Sequence, residues 1–261
     1  MTGPLRGGPW GRPPGSALRA VPPATDPAVS IVIPARNEAA NIAAVLDRIF
    51  AAVRSRCEVL VVVDSASDLT RPAVRRYAVA EPRVRCLVNE YGPGPASAIR
   101  YGIGRAKAGI VVVTMADGSD DARQIDDLAA LVQCGAVVAA ASRYAPGGRQ
   151  VGGPRVKRLL SRCAGTSLRL LPGAGTKDAT NSFKAYSAAF IREVGIESRH
   201  GFTIGIELTA KARRLRREIA ELPTIWVDRR AGRSGFRLFA WLPAYLRWYA
   251  FCLGPRAPRR P

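Results

Sequence analysis

Short apolar runs alternate with amphipathic segments from about residue 28 to residue 142. The runs, such as VSIVIP and EVLVVVD, are continuously apolar, which is typical of parallel strands that helices cover on both faces. This pattern predicts an open, mostly parallel α/β sheet, which binds ligands beyond the carboxyl ends of its strands. The predicted strands are 29–34, 58–64, 83–88, 109–114 and 136–142, and the predicted helices are 38–53, 71–79, 96–107 and 123–132.

The pattern changes after about residue 146. The last apolar segment, 236–253, is rich in aromatic residues but is interrupted by Arg237, Pro243 and Arg247, so we do not expect it to span a bilayer. The other elements predicted in this part are a basic amphipathic helix over 154–171, a helix over 204–219 and a strand over 220–227.

The length of 261 residues favours one large domain. Residues 1–27 are dense in Pro and Gly and predict a disordered tail. We expect a single α/β domain over 28–235, an amphipathic membrane-interface segment over 236–253 and a short tail over 254–261. Basic and aromatic amphipathic helices lie in membrane interfaces, although core packing is the alternative for both such segments of this chain.

Charge narrows the class of partner. The chain has 40 Lys and Arg against 20 Asp and Glu, and only five of the 40 are Lys. Arginine binds phosphate in a planar, two-pronged way, so phosphorylated or anionic-surface partners are indicated, unless the excess only reflects an arginine-rich composition. The five cysteines are scattered, which predicts neither a zinc site nor a disulfide framework and fits a reducing cytosol.

Polar residues follow the predicted strands. PARNE follows the first strand, Asp64 ends the second, the loop MADGSDD follows the fourth, and Ser142 and Arg143 end the fifth. Carboxylates at the end of a buried strand are consistent either with a metal and phosphate site or with a solvated turn whose aspartates cap the next helix. Convergence of four strand ends favours a site.

The motifs VSIVIPARNEAANI, VVVDSASD, MADGSDD, KDATNSFKAY, GFTIGIEL and DRRAGRSGF occur in the order found in the family-2 glycosyltransferases. Within that family the chain resembles the polyprenyl-phosphate (dolichyl-phosphate) mannose synthases. The resemblance covers about residues 29–249 and implies the GT-A fold.

The resemblance also implies roles for individual residues. The nucleotide would be bound by Pro34, Arg36, Glu38 and Asp64. A divalent cation, Mg²⁺ or Mn²⁺, would be held by Asp117 and Ser119, although Met115 occupies the position of the family's first aspartate. Asp117, Arg143 and Arg229 would be catalytic, through charge stabilisation of phosphate groups. Arg143 would bind phosphates of the donor or the acceptor, and Arg149 is a weaker candidate for the same role. Acceptor and sugar contacts would come from Asp178, Asn181, Ser182, Glu207, Arg230 and Ser234.

Several of these assignments have alternatives. Glu38 also suits a helix N-terminus, Asn181 suits a turn, and Glu207 sits in an apolar helix pattern that fits a structural role equally well. The family's Lys after the last motif serine is Gly235 here, so the acceptor phosphate would lean on nearby arginines.

The implied reaction is an inverting transfer of mannose from GDP-mannose to polyprenyl phosphate by a peripheral enzyme on the cytoplasmic face of the membrane. A membrane-anchor subunit or a homodimer is compatible with it. The alternatives are a UDP-sugar donor, a soluble acceptor, a transferase inactivated by Met115, or a basic nucleic-acid-binding protein. We expect no nucleic-acid partner, because backbone neutralisation does not explain acidic residues at successive strand ends.

Overall fold

The computed structural model describes residues 26–152, 175–228 and 238–254. The strands are β1 (Val29–Ala35), β2 (Cys57–Val63), β3 (Val84–Val88), β4 (Ile110–Val113), β5 (Val138–Ser142), β6 (Arg149–Val151), β7 (Lys184–Ser187), β8 (Ile219–Pro223) and β9 (Ile225–Val227). The helices are α1 (Ile42–Ala52), α2 (Thr70–Ala80), α3 (Pro95–Arg105), α4 (Ile125–Gln133), α5 (Ala188–Val194), α6 (Ile204–Arg214) and α7 (Leu238–Leu253), and a 3₁₀ turn, Ala122–Gln124, precedes α4.

Seven strands form one sheet in the order β3-β2-β1-β4-β7-β5-β8. Strands β3, β2, β1 and β4 are parallel, as the apolar runs predicted. Strand β7 is inserted antiparallel between β4 and β5, so β5 again runs in the direction of β4. The five predicted strands are confirmed, whereas β6, β7 and α5 were not predicted.

Each strand buries side chains on both faces of the sheet, which is why its apolar run is continuous. Ile31 and Ile33 of β1 pack with α1, α2 and α4, whereas Val32 packs on the opposite side with α3, α5 and α6. Helices therefore cover the sheet on both sides, which is the arrangement that the sequence predicted.

Three predicted elements differ from the structure. The helix expected over 204–219 ends at Arg214, and Ile219 already belongs to β8. The helix expected from Glu38 begins at Ile42, because the intervening loop is bound to the neighbouring strand end. The strand expected over 220–227 is divided at Thr224 into β8, which joins the main sheet, and β9, which pairs with β6 in a separate two-stranded sheet. The predicted helix over 154–171 lies outside the described residues.

Helix α7 packs on α6, and a membrane-interface role for this segment stays a prediction. Trp248 and Cys252 of α7 are buried against Ile206 and Ala210 of α6. A second face of α7 remains exposed and is apolar, with Leu242, Leu246 and Leu253. Among the described helices, none is both long and apolar enough to cross a membrane.

Candidate functional site

The candidate site lies at the carboxyl edge of the sheet. Parallel strands β3, β2, β1 and β4 are neighbours, so the loops that follow them meet at one edge. Strand β5 has the same direction, and the chain enters β7 at this edge because β7 is antiparallel. The predicted residues from Pro34 to Ser182 are therefore brought to one side of the sheet.

The loops after β1 and β2 are tied together by a residue that sequence reasoning missed. Asp68 is buried, and its carboxylate accepts hydrogen bonds from the Asn37 backbone N–H at 3.1 and 3.2 Å. The Glu38 N–H donates to the Thr70 hydroxyl at 2.9 Å. Asn37 is held at a φ of +55°, a conformation that asparagine tolerates better than most residues. The sequence signal was Asp-x-Thr before a helix, an Asx turn in which Asp68 also accepts from the Thr70 N–H.

The four predicted nucleotide residues surround these loops. Pro34 is half-buried near the end of β1, Arg36 is exposed, and Glu38 accepts a hydrogen bond from the Asn41 side chain at 2.6 Å. Asp64 accepts from the backbone N–H of Gly94 at 3.0 Å, which links the end of β2 to the start of α3. Two carboxylates thus lie at neighbouring strand ends, where they can accept from the N–H and hydroxyl groups of a nucleoside.

The loop after β4 places Asp117 and Ser119 side by side. The Ser119 hydroxyl donates to Asp117 Oδ1 at 2.7 Å, and the Ser119 N–H donates to the same atom at 3.1 Å. Gly118 between them has a φ of +70°, and its carbonyl accepts from Arg48. The two side-chain oxygens are close enough to bind one cation together.

This donor set fits a divalent cation held jointly by protein and substrate. Within the described residues there is no group of three His, Cys, Asp or Glu side chains that could enclose a metal alone. One carboxylate and one hydroxyl suit Mg²⁺ or Mn²⁺, hard cations that in nucleotide sites take most of their other ligands from phosphates and water. Met115 does not add an oxygen to this set.

Asp120 and Asp121 serve the loop and the helix. Asp120 Oδ2 accepts from the Thr114 hydroxyl and from the Met115 N–H, both at 3.0 Å, and folds the loop back onto β4. Burial and the neighbouring Asp117 raise the pKa of Asp120 to about 7. Asp121 caps the 3₁₀ turn by accepting from the Arg123 N–H, so the capping alternative holds for Asp121.

Arg143 and Asp178 form a buried ion pair. Arg143 donates from its backbone N–H at 3.0 Å, from Nε at 2.7 Å and from Nη2 at 2.8 Å to the two oxygens of Asp178. Burial alone would lower the pKa of Arg143, but the Asp178 carboxylate outweighs it and the pKa is raised. Burial would raise the pKa of Asp178, and Arg143 outweighs that too, so the pKa is lowered. Asp178 was expected to line the sugar side of the cleft; it is fully buried and instead anchors Arg143.

Lys184 is a second buried cation that sequence reasoning missed. Its ammonium group donates to the carbonyls of Asp178 at 3.0 Å, Ala179 at 3.3 Å, and Asn181. Burial lowers the pKa of Lys184 to about 8, partly offset by Asp178. Asn181, which was a candidate for either the sugar or a turn, is buried and donates from its side chain to the Ala141 carbonyl at 2.8 Å. Ser182 is half-buried beside it.

Glu207 has the structural role of the two considered. It is fully buried in the first turn of α6 and accepts from the N–H groups of Glu197 at 2.7 Å and Ser198 at 2.8 Å. Lys211, one turn later, pairs with it at 2.8 Å. Glu207 thus fixes the loop before α6, which fits the structural alternative, and a contact with the acceptor or sugar stays a prediction.

Three predicted site residues, Arg229, Arg230 and Ser234, lie outside the described residues. Arg149 is described and is exposed on β6. The carboxyl edge of the described residues therefore presents two carboxylates at the ends of β1 and β2, the candidate nucleotide half, and the Asp117–Ser119 pair after β4, the candidate metal half. The Arg143–Asp178 pair lies next to them.

Comparison with known proteins identifies the family. The model of glycosyl transferase family 2 matches residues 30–195. Polyprenol monophosphomannose synthase of Mycolicibacterium smegmatis is 30% identical over 210 residues, which cover 78% of this chain and 79% of that protein. Undecaprenyl-phosphate mannosyltransferase of Micrococcus luteus is 30% identical over 213 residues, which cover 79% of this chain and 86% of that protein.

Solved structures share the fold. Glucosyl-3-phosphoglycerate synthase of Mycobacterium tuberculosis, in complex with Mn²⁺, UDP and glucosyl-3-phosphoglycerate, has a TM-score of 0.64 at 22% identity, covering 88% of this chain and 82% of that one. A mannosyltransferase of Pyrobaculum calidifontis in complex with GDP-mannose and Mn²⁺ has a TM-score of 0.59 at 22% identity, covering 90% and 67%. The chain therefore belongs to glycosyl transferase family 2, as a glycosyltransferase with the GT-A fold.

Proposed function

We propose that this enzyme transfers mannose from GDP-mannose to a polyprenyl phosphate, with inversion at the anomeric carbon, using Mg²⁺ or Mn²⁺. The observation that carries the proposal is the Asp117–Ser119 oxygen pair at the end of β4, next to the carboxylates at the ends of β1 and β2. Two relatives at 30% identity, named for polyprenol monophosphomannose synthesis and undecaprenyl-phosphate mannosyl transfer, support this donor sugar and acceptor class.

The donor would lie across the carboxyl edge of the sheet. Glu38 and Asp64 would accept hydrogen bonds from the nucleoside, with Pro34 and Arg36 beside it. Asp117 and Ser119 would hold the divalent cation, which when bound stabilises negative charge on the departing nucleoside diphosphate. The solved mannosyltransferase complex with GDP-mannose and Mn²⁺ shares this fold.

The acceptor would supply its own nucleophile. A phosphate monoester is already ionised at neutral pH, so its oxygen can form the new bond to the anomeric carbon while the bond to the nucleoside diphosphate breaks. No proton needs to be removed, and the single histidine, His200, is not required as a base. Alignment and charge stabilisation would then supply the rate enhancement, and Arg143, fixed by Asp178, would be a nearby positive charge.

The acceptor's lipid chain would place the enzyme on a membrane, and we propose the cytoplasmic face. Helix α7 supports this location, because its exposed face carries Leu242, Leu246 and Leu253 while its other face is buried on α6. Arg247, on the same helix, is 68% exposed and suits an anionic headgroup region once it leaves its exposed pair with Glu197 at 3.1 Å. Contacts from Arg229, Arg230 and Ser234 to the acceptor phosphate remain part of the proposal.

A transfer assay with crossed donors and acceptors tests this function. Purified full-length protein with Mn²⁺ receives GDP-mannose or UDP-glucose, together with a polyprenyl phosphate or a soluble phosphorylated acceptor, and products are identified by mass spectrometry. We expect mannosyl phosphoprenol only from GDP-mannose with the lipid. Transfer from UDP-glucose, or to the soluble acceptor alone, would assign a different family-2 activity.

Asp117→Ala and Met115→Asp are informative variants in the same assay. An active enzyme should lose nearly all transfer with Asp117→Ala, because the cation loses its only carboxylate from this pair. If the natural protein is inactive and Met115→Asp restores transfer, Met115 has disabled the site and the proposal of activity fails.

A further inference from the structure

The two-stranded sheet of β6 and β9, which we call the ribbon, has an unusual outer face. Its register pairs Arg149 with Ile225 and Val151 with Val227. Paired residues in parallel strands point to the same side, and alternate residues point to opposite sides, so these four side chains share one face. Gln150 and Trp226 form the other face and are half-buried, whereas all four outer residues are exposed.

The outer face is mostly apolar where a solvated ribbon would be polar. Val151 is 47% exposed, Ile225 54% and Val227 43%. Three β-branched side chains on two short adjoining strands form a continuous patch, which differs from an isolated exposed apolar residue such as Val79 on α2.

One arginine lies on the patch itself and another lies near it. Arg149 belongs to the same face. Arg123 is 81% exposed and adjoins Gln124, whose side chain donates at 2.7 Å to the carbonyl of Pro223, two residues before Ile225. Two acids oppose this charge, since Asp121 pairs with Arg123 and Asp228 follows β9. Arg149 nevertheless lies on the outer face itself, so an anionic surface complements the patch.

The ribbon also adjoins the metal half of the site. The Val227 backbone N–H donates at 3.3 Å to the carbonyl of Ser119, the neighbour of Asp117 in the cation pair. Arg48 binds the Gly118 carbonyl of the same loop. A surface that binds the ribbon is therefore next to the loop where the donor's phosphates are proposed to lie.

We infer that the outer face of the ribbon is a membrane-contact element that inserts Val151, Ile225 and Val227 into the headgroup boundary of an anionic bilayer. The inference rests on the proposed function in one respect, the purpose of the contact. That purpose would be to bring the phosphate end of the lipid acceptor to the Asp117 loop. A second copy of the chain is a poorer occupant, because three apolar side chains are far fewer than the about 20 residues a side that a stable dimer uses.

Vesicle binding by the full chain, without donor or acceptor, tests the inference. The ribbon variant carries Val151→Thr, Ile225→Thr and Val227→Thr, which keep β-branching and remove apolar contact. The matched control carries Leu69→Thr, Val79→Thr and Leu215→Thr at exposed apolar positions elsewhere. We expect the ribbon variant to bind phosphatidylglycerol-containing vesicles on the order of tenfold more weakly than wild type, and the control to bind as wild type. Phosphatidylcholine vesicles should bind all three proteins weakly.

Equal vesicle binding by wild type and ribbon variant would overturn the inference. If, in addition, the wild type is a dimer and the variant a monomer, the ribbon is an interface between copies of the chain and not a membrane contact. If the triple variant fails to fold, the Ile225→Cys protein labelled with an environment-sensitive fluorophore replaces it. Its background carries Cys86→Ser, Cys134→Ser and Cys163→Ser, so that the label attaches at position 225. Its emission should shift to the blue on anionic vesicles, and a label at Val79→Cys should not. No shift at position 225 would equally overturn the inference.

A transfer assay with a short-chain, water-soluble polyprenyl phosphate separates this inference from the proposed function. Without vesicles, the ribbon variant should transfer within about twofold of wild type. Loss of transfer by the variant alone would assign the ribbon to the active site and overturn the membrane role. Absence of transfer by wild type would refute the proposed function and leave the vesicle result standing.

Discussion

Replacing Asp178 by asparagine removes one charge from a buried ion pair and keeps the shape of the side chain. The Asp178 side chain is fully buried and that of Arg143 is 9% exposed. The Asp178 carboxylate accepts three hydrogen bonds from Arg143, and the ammonium group of Lys184 binds the carbonyl of Asp178 itself. Asp178→Asn leaves two cations next to a neutral amide.

The magnitude follows from this geometry. Removing one partner of a buried pair leaves an uncompensated charge and typically costs about 3–5 kcal/mol. An amide oxygen at the position of Oδ2 can still accept the bonds from the Arg143 backbone N–H and from Nε, so we expect the lower part of that range. Arg143→Met combined with Asp178→Asn removes both charges. The double variant should recover part of the free energy of unfolding that Asp178→Asn loses, because Arg143 is no longer left buried without its anionic partner.

Urea denaturation at pH 7 measures the free energy of unfolding of each variant. The matched control is Glu81→Gln, which breaks the exposed Glu81–Arg83 pair and should cost less than about 1 kcal/mol. Because the folded-state pKa of Asp178 is lowered, its contribution is complete above the unfolded pKa of about 3.9 and is lost as pH falls through the folded value. The difference between wild type and Asp178→Asn should therefore persist to about pH 4 and narrow only in stronger acid. A cost no larger than that of Glu81→Gln would refute the buried-pair account.

Three further predictions concern stability. Asp120→Asn should remove a pH dependence of stability. Because the folded pKa of about 7 lies above the unfolded value, the free energy of unfolding of the metal-free wild type should fall by on the order of 2–4 kcal/mol as pH rises from about 4 to about 7. Thermal unfolding at pH 5 and 8 measures this loss, and an equal loss in the variant would contradict the burial of Asp120. Trp248→Ala should lower the free energy of unfolding in urea by about 3–5 kcal/mol, because it leaves a cavity between α7 and α6. Leu246→Ala, at an exposed position of the same helix, should lower it by less than about 0.5 kcal/mol. Similar costs would mean that α7 does not pack on α6 as described. Gly102→Ala should destabilise the protein by about 1–3 kcal/mol, because the new Cβ would lie 2.5 Å from a methyl carbon of Val32. Gly104→Ala on the same helix has room beside Tyr91 and should be neutral or stabilising. The reverse order of stabilities would contradict the packing of α3 on β1.

The sheet could be predicted because its signal is local. Runs such as VSIVIP are apolar at every position since helices cover both faces of the sheet, and that requirement is written in consecutive residues. Strand β7 has only four residues, Lys184–Ser187, and begins with a lysine that is buried through contacts with the carbonyls of the preceding loop. Nothing in its local pattern predicted burial.

The candidate site divides in the same way. Carboxylates directly after strands, such as Asp64 and Asp117, could be placed because parallel strands bring their ends to one edge. Asp178 could not, because its burial depends on Arg143, 35 positions earlier in the chain. Asp68 was missed for a similar reason, since its partner Asn37 belongs to a different strand end. Ion pairs and hydrogen bonds between distant segments decide which polar residues face the cleft and which support it.

The proposed function requires the Asp117–Ser119 loop to bind the donor's diphosphate through a divalent cation. It is tested most directly by titrating Mn²⁺ into the protein and following the electron paramagnetic resonance signal of free Mn²⁺, with and without GDP-mannose. We expect GDP-mannose to tighten Mn²⁺ binding in the wild type. The control Asp121→Asn should behave as the wild type, because Asp121 caps the 3₁₀ turn. Asp117→Asn should weaken Mn²⁺ binding in the presence of GDP-mannose by about tenfold or more. Equal Mn²⁺ binding by Asp117→Asn and wild type in the presence of GDP-mannose would contradict the account.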